Sequence, residues 1–436
     1  LIDRGDLARE FPLETIPYMQ KEIIRKANKR KIPVYIATNF LETMIKNSTP
    51  TRAEVNDVIN TLADGADGLV LAAETAIGKH PVASVNIIKT LIYQFENQKG
   101  FSSQTIIEPY SNLVDPHGGR LVQNIIPDDM IDDIDNLPIW EVDERTMIDA
   151  RQISMGTYSP LSGFLCQEAL ESVLFNHCLG NGDIWTLPIL LQERGSEIFR
   201  YGKGEVVLLK CGELKALLEI EEVYHYDKDK LCLSYFGTTD HKHPEVKRLL
   251  RGENTFVGGK VSMPKSVLRQ HNAYELTPAQ TRMIFKHKYW SKIVGFHTRN
   301  VPHRAHEYLQ STAMKKYDCD GLFIHPVIGP KKIGDFSGDV ILDAYSEFFK
   351  EENFHNHMLL GGFNNYSRYA GPREAVFTAL CRKNFGCSHF IVGRDHTGMK
   401  NFYPPGSARS LFDELGDIGI QPIFFDEVYY CNNCKK

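Results

Sequence analysis

The sequence predicts an α/β protein in which a parallel-sheet domain follows a β-rich domain and a short α/β segment at the front of the chain. Near both ends, short apolar runs typical of buried strands alternate with amphipathic helices. Between them, glycine-rich turns separate short strand patterns. In the last region, two clusters of basic and histidine side chains follow apolar strands, where open parallel sheets bind ligands.

Residues 1–98 show the alternation of βαβ units. The predicted strands and helices of this region are, in chain order, 33–38, 51–62, 68–72 and 82–95. These strands are too few to close a barrel. The polar, turn-rich segment 99–112 is predicted to be a linker.

Residues 113–275 are predicted to form a mixed, β-rich domain. Strand patterns occur at 205–210 and 230–235. Turns are predicted at Gly118-Gly119, Gly180-Asn181-Gly182 and Gly258-Gly259.

Residues 276–436 return to an α/β pattern. A helix is predicted over 277–285, and strands over 293–296, 322–327, 357–361, 389–392 and 421–425.

Composition narrows the possible partners of the chain. Its 436 residues include 24% charged side chains, with a net charge of -5, so no nucleic-acid partner is expected. No apolar stretch approaches the ~18 residues of a membrane span, and the first residues lack a signal-peptide core. These observations predict a cytoplasmic protein without a membrane partner.

The segment 293–310 is the most informative part of the sequence. An apolar strand leads through Arg299 into a helix that opens with His303 and His306, which lie three residues apart and share one face. Free backbone N–H groups at a helix start attract anions, so the pattern suits a nucleoside triphosphate. A lone histidine there is usually a cap or a packed ring. The paired spacing and a second cluster, at 393–396, favour a binding site.

Residues 113–436 resemble the ATP sulfurylase family. The motifs that carry the resemblance are His297-Thr298-Arg299-Asn300, His303-x-x-His306 and Gly393-Arg394-Asp395-His396. Further similar segments are 116–122, 158–165, 235–246, 276–282, 325–335 and 369–375.

The resemblance implies a nucleotidyltransferase-type catalytic domain over 276–436, C-terminally incomplete, behind a PUA-like domain over 113–275. It implies conversion of ATP and sulfate into adenosine 5′-phosphosulfate and pyrophosphate, with Mg²⁺ accompanying ATP, in a homo-oligomer. Catalysis is assigned to Thr298, Arg299, Asn300, His303 and His306. ATP binding is assigned to Arg299, His303, His306, Gly393, Arg394, Asp395 and His396. Because sulfate is fully ionised, its attack requires positive potential and positioning, but no general base.

The predicted sulfate contacts are His297, Arg299 and Thr397. Two of these depart from the usual family pattern, which has Gln in place of His297 and Ala in place of Thr397. Both changes keep or add hydrogen-bond donors, which indicates a retuned oxyanion pocket. One hypothesis is that His297 makes sulfate affinity titrate near pH ~6.5, the ordinary imidazole value.

Several other polar residues allow two interpretations. Cys431 and Cys434 have the C-x-x-C spacing of half a Zn²⁺ site, or they are incidental surface cysteines. Asp240, His241 and His243 could suggest a metal cluster, but a polar loop fits their spacing better. Arg373 could reach the site or bind a nearby helix end.

Residues 1–98 resemble the later part of the pyruvate kinase barrel, through segments 3–7, 36–58 and 64–85. The resemblance implies that Asp6 is a vestigial cation ligand and that Thr38 lies at a former substrate site. The groups that transfer the phosphoryl group in that family are missing, so no pyruvate kinase activity is expected. We expect this region to be a scaffold or a fragment of a longer fusion.

Two other functions remain open at this point. The chain could be a related H-x-x-H nucleotidyltransferase with a different oxyanion acceptor. Alternatively, His297 and Thr397 could mark a nucleotide-binding module that regulates its fusion partner.

Overall fold

The structure is a computed structural model that describes residues 1–97, 113–128, 136–193, 195, 201–266, 273–332, 334–351, 357–393 and 402–425. The chain divides into two compact units, one formed by 1–112 with 284–290 and the other by 113–283 with 291–436. The predicted linker, 99–112, lies outside the described residues, and the predicted domain boundaries remain predictions. Among the described helices, none is long and apolar enough to cross a bilayer.

The first unit contains a three-stranded parallel sheet in the order β1-β2-β3, and the strands and helices predicted there are present. Its elements are Ile2–Asp3 (β1), Arg4–Glu10 (α1), Ile16–Lys29 (α2), Tyr35–Ala37 (β2), Arg52–Ala63 (α3), Gly68–Val70 (β3), Ala73–Ala76 (α4) and Pro81–Asn97 (α5). Thr51 starts α3 through a capping box with Glu54. Ile36, Phe40 and Val58 are fully buried in its core.

The second unit begins with a mixed sheet in the order β4-β10-β9-β8-β5, onto which β6 and β7 also pair through β10. Its strands are Ile125–Ile126 (β4), Ile139–Glu141 (β5), Gly163–Phe164 (β6), Leu191–Gln192 (β7), Val206–Cys211 (β8), Leu214–His225 (β9) and Thr255–Pro264 (β10). Its helices are Glu144–Ser154 (α6), Gln167–Asn176 (α7), Lys228–Phe236 (α8) and Pro244–Arg251 (α9).

The predicted strand at 230–235 is wrong, because this segment lies in α8. Asp227 caps the helix start, accepting hydrogen bonds from the backbone N–H groups of Asp229 and Lys230. Gly237 ends the helix in the left-handed conformation at φ 72°. The apparent strand alternation arises from Leu233, which is 60% exposed on the outer face of the helix.

The predicted turn at Gly258-Gly259 is also wrong, since both residues lie inside β10. The register of β10 against β9 shifts between them, as at a β-bulge. A Cβ on Gly259 would lie 2.2 Å from the carbonyl oxygen of Glu219. Glycine is therefore required here for close backbone approach within a strand.

The last part of the second unit is a five-stranded, wholly parallel sheet in the order β13-β12-β11-β14-β15. All five strands and the helix predicted near 277–285 are present. The elements are Pro278–His287 (α10), whose residues 284–287 are counted in the first unit, Ile293–Thr298 (β11), Arg304–Lys316 (α11), Gly321–Pro326 (β12), Gly338–Glu351 (α12), Met358–Leu360 (β13), Pro372–Phe385 (α13), His389–Val392 (β14), Ser407–Leu415 (α14) and Gln421–Phe424 (β15).

Buried polar contacts join the two sheets of the second unit. The Asn384 side chain donates to the carbonyl oxygens of Thr157 and Ser159 and accepts from the backbone N–H of His117. Arg368 forms a buried ion pair with Asp149. Because each buried charge or amide has a partner, these contacts hold the β-rich region against the parallel sheet.

Candidate active site

The candidate site lies where the strand order of the parallel sheet reverses. The chain adds β12 and β13 on one side of the central strand β11, then crosses over to place β14 on its other side. Thr298 ends β11, and Gly393 follows β14. Phe296 and Ile391 are paired across these two strands, so both predicted motifs start at the same sheet edge. Ligands of open α/β sheets bind at such a switch point.

The Thr298-Arg299-Asn300 segment turns sharply away from β11. The Thr298 hydroxyl accepts a hydrogen bond of 3.0 Å from the backbone N–H of Asn300. Thr298 itself is only 5% exposed. Its role in the structure is therefore to shape the turn that presents Arg299.

His303 and His306 lie at the start of α11, as the spacing predicts. His303 is the N-cap residue, and its side chain forms no capping hydrogen bond. The two imidazole rings stack with their centroids 3.7 Å apart. The paired rings and the helix start together offer hydrogen-bond donors of the kind that anions attract.

Both of these histidines are neutral before an anion arrives. Burial and, to a smaller extent, the neighbouring His303 together lower the pKa of His306 to about 4. Burial also lowers the pKa of His303.

The Nδ1 of His306 lies 3.3 Å from the Tyr345 hydroxyl, and the ring packs edge-on against Phe296. Tyr345, which sequence reasoning missed, thus fixes the orientation of His306.

Arg299 belongs to a second group of cations. Its guanidinium donates to the Ser367 hydroxyl at 3.4 Å and lies 5.9 Å from the centre of the Tyr369 ring. The Lys332 ammonium lies 4.0 Å from the centre of the same ring. Lys331 is a further cation that sequence reasoning missed. Its buried Nζ has no hydrogen-bond partner among the described residues.

The charge of Arg299 acts on Lys331 electrostatically. Burial lowers the pKa of Lys331, Asp335 opposes this shift, and the Arg299 charge adds to it. Two cations held close together destabilise each other unless an anion joins them. The two cations therefore have electrostatics that a bound polyanion would relieve.

His297 faces a buried partner from a distant part of the sequence. The Arg382 guanidinium donates a 2.8 Å hydrogen bond to Nδ1 of His297. Arginine has no acceptor and keeps its charge, so this Nδ1 must be unprotonated. The contact therefore favours a neutral ring with its proton on Nε2, which argues against the hypothesis that sulfate affinity titrates through His297.

The other predicted residues lie outside the described residues or belong to the first unit. Arg394, Asp395, His396, Thr397, Cys431 and Cys434 fall outside the described range. Asp6 is exposed on α1 and forms an ion pair with Arg9 at 3.3 Å. Among the described residues, no group of three or more His, Cys, Asp or Glu side chains could hold a metal ion.

The two interpretations of Arg373 are decided by its contacts. Its guanidinium donates to the carbonyl oxygens of Val173 and Leu174 in the last turn of α7, and to that of Thr186. Arg373 therefore binds a helix end. His243 is buried and caps α9, accepting from the backbone N–H of Val246, so it is structural, as the polar-loop interpretation supposed.

Three protein families match successive parts of the chain. The pyruvate kinase barrel domain matches residues 1–85, a PUA-like domain matches 114–266, and ATP-sulfurylase matches 272–436. These matches confirm the fold class expected from the sequence motifs.

Curated proteins match about three quarters of the chain. A sulfate adenylyltransferase from Staphylothermus marinus is 40% identical over 327 residues, covering 73% of this chain and 84% of the relative. The sulfate adenylyltransferase of Pyrococcus abyssi is 40% identical, with the same two coverages. That of Chloroflexus aurantiacus is 40% identical over 331 residues, covering 76% of this chain and 86% of the relative.

Among solved structures, a hexameric APS kinase from Thiobacillus denitrificans aligns with a TM-score of 0.59 at 22% identity. The alignment covers 74% of this chain and 59% of that chain, and it supports the fold alone. The family of the chain follows from its 40% sequence identity to the curated relatives and from the 84% of their length that it covers. The chain belongs to the ATP sulfurylase, or sulfate adenylyltransferase, family.

Proposed function

We propose that this chain is a sulfate adenylyltransferase, which joins the AMP part of ATP to sulfate. A sulfate oxygen attacks the α-phosphorus, the bond from that phosphorus to the bridging oxygen breaks, and pyrophosphate leaves with the bonding electrons. The products are adenosine 5′-phosphosulfate and pyrophosphate. No proton has to move, because sulfate and pyrophosphate are already ionised. Catalysis therefore depends on holding two anions together.

One observation carries the proposal: stacked neutral histidines at a helix start share a sheet edge with the clustered cations Arg299 and Lys331. The histidines suit the departing pyrophosphate, because they can donate hydrogen bonds and take up protons as charge develops. Arg299 suits either anion, since its guanidinium can bridge two oxygens. Gly393, Arg394, Asp395 and His396 would hold the nucleotide, while His297, Arg299 and Thr397 would contact sulfate.

ATP would enter as its magnesium complex, in which phosphates and water supply most of the ligands. Cys431 and Cys434 would supply half of a structural Zn²⁺ site in the protein. We also propose a cytoplasmic homo-oligomer. Metal analysis of the purified chain tests for bound Zn²⁺, and light scattering tests for the homo-oligomer.

Pyrophosphate release with different acceptors tests the function. The chain is incubated with MgATP and sulfate, selenate, inorganic phosphate or a phosphate ester. We expect release that requires sulfate and that selenate partly supports. Release driven by the phosphate ester would instead support a nucleotidyltransferase with another acceptor, and ATP binding without turnover would support a regulatory module.

A further inference from the structure

Arg382 is a buried cation on α13, the helix that leads into strand β14. It lies in α13, where nearly every residue from Glu374 to Phe385 is buried, and its own exposed fraction is 0%. One terminal nitrogen donates both to Nδ1 of His297, at 2.8 Å, and to the carbonyl oxygen of His325, at 3.1 Å. The guanidinium carbon lies 4.2 Å from the centre of the Phe363 ring. Among the described residues, it forms no ion pair with a carboxylate.

Within the part of the chain that the structure describes, the titratable groups near the Arg382–His297 contact include His325, Cys381 and Cys387. His325 lies opposite His297 in the paired strand β12, and burial, followed by the Arg382 charge, lowers its pKa well below the ordinary range. Phe363 packs edge-on against His297. Burial lowers the pKa of Arg382 to about 10, so the guanidinium stays charged at neutral pH; the thiols of Cys381 and Cys387 act in the opposite direction.

The consequence for His297 is a fixed proton position. A free imidazole divides its single proton between two nitrogens and gains a second near pH ~6.5. Here the Nδ1 lone pair already accepts from a permanent cation. Adding a proton to that nitrogen would break the hydrogen bond and place two positive charges beside each other. The ring is therefore a neutral donor through Nε2.

We propose that Arg382 is a positioning residue that holds His297 as a neutral Nε2–H donor to the oxyanion, so that sulfate binding does not vary with the protonation of His297. This proposal rests on the proposed function, because it takes sulfate as the occupant of that pocket. In this arrangement His297 offers the oxyanion one oriented N–H donor, as the side-chain amide of the glutamine in the usual family pattern would. The buried guanidinium behind the ring adds positive potential without touching the substrate.

The sulfate KM of Arg382→Met relative to that of the unmodified chain tests the proposal, at saturating MgATP from pH 6 to 8.5. Taking the ratio at each pH cancels titrations common to both proteins. With its partner removed, His297 becomes an imidazolium at low pH and a disordered neutral donor at high pH. We expect the ratio to rise by roughly tenfold across this range, the size of one charge-assisted hydrogen bond, while the KM for ATP changes little.

Two variants separate positioning from general damage. In Arg382→Met/His297→Gln the pH slope of the ratio should disappear, because glutamine does not titrate. Arg373→Met, a second arginine replacement on α13, should leave the slope flat, because the Arg373 guanidinium donates to the carbonyl oxygens of Val173, Leu174 and Thr186 and not to His297. A pH-independent ratio for Arg382→Met would overturn the proposal.

Nitrogen NMR of the unmodified chain gives a result that does not depend on folding of the variant or on activity. The His297 ring is assigned from the signal lost in His297→Gln. We expect an unprotonated Nδ1 and a protonated Nε2 throughout pH 6 to 8.5. A doubly protonated ring, or a proton on Nδ1, would contradict the proposal even if the chain uses sulfate. Absence of any sulfate turnover, with the expected NMR result, would instead reject the proposed function.

Discussion

The His306 and His297 subsites differ in what contacts Nδ1. At His306 this nitrogen meets the neutral Tyr345 hydroxyl, and a second imidazole stacks on the ring. At His297 it meets a buried guanidinium. The same side chain is therefore free to gain a proton in one subsite and prevented from gaining it in the other. The His306 subsite thus suits a triphosphate, whose charge shifts during the reaction. The His297 subsite suits sulfate, whose charge is constant before the attack.

The largest effect is expected from removing the histidine of the triphosphate subsite. His306→Ala should lower kcat by about 10²–10³-fold, the usual cost of one donor to a departing oxyanion. Steady-state pyrophosphate release measures this, and thermal unfolding verifies that the variant is folded. A loss smaller than tenfold would remove His306 from the catalytic group.

Lys331→Met should act on binding more than on the chemical step. Removing a buried ammonium that lacks a partner in the described structure should raise the KM for ATP by about tenfold, since a charge-assisted contact is lost. Lys332→Met is the matched control, because Lys332 lies against the Tyr369 ring. Equal effects of both changes would indicate only a general loss of positive potential.

Tyr345→Phe tests the support of His306 with one oxygen atom removed. We expect kcat to fall by about threefold to tenfold, the value of one neutral hydrogen bond, with little change in the sulfate KM. Steady-state kinetics with each substrate varied in turn distinguishes these parameters. A rise in the sulfate KM with an unchanged kcat would contradict this role and would assign Tyr345 to the sulfate subsite instead of the His306 subsite.

Proton uptake on ligand binding tests the difference between the subsites directly. Because the pKa of His306 is about 4 in the free protein, the ring is neutral at pH 6. A bound polyanion raises this pKa, so protons are taken up and pyrophosphate should bind more tightly as the pH falls from 7.5 to 5.5. Calorimetry in two buffers measures the uptake. It should decrease in His306→Ala but not in His297→Gln.

The smallest catalytic effect is expected for Arg373→Met. Its three carbonyl contacts are structural, so kcat should change by less than about twofold, while the free energy of unfolding should decrease by roughly 2 kcal/mol. Chemical denaturation followed by an activity assay tests this. A large loss of kcat in a stable variant would return Arg373 to the active site.

The sequence predicted the parallel sheet well because its strands are continuous apolar runs, whose identity does not depend on neighbours. The predicted helix start at His303 and His306 is also confirmed, because the change from an apolar strand to a helical pattern is visible in the local sequence. The strand predicted at 230–235 failed because Asp227 and Gly237, which define helix ends, carried more information than alternation within the segment. At Gly258-Gly259, local glycine content could not reveal a crowded bulge.

The supporting residues of the site were missed for a different reason. Arg382 and Tyr345 lie 85 and 39 positions from the histidines that they contact, so no local spacing connects them. A signal was available for Arg382. An arginine that follows a largely apolar and buried run, as Arg382 follows residues 375–381 of α13, must find a buried partner. Which partner it finds is decided only by tertiary packing.

Formation of ATP from adenosine 5′-phosphosulfate and pyrophosphate tests the account most directly, because it requires both subsites and the same transition state as the forward reaction. With Mg²⁺ present, we expect the chain to produce ATP continuously, sulfate to inhibit competitively with adenosine 5′-phosphosulfate, and His306→Ala to be nearly inactive. No ATP from the folded chain would contradict the assignment, as would ATP formation unaffected by His306→Ala.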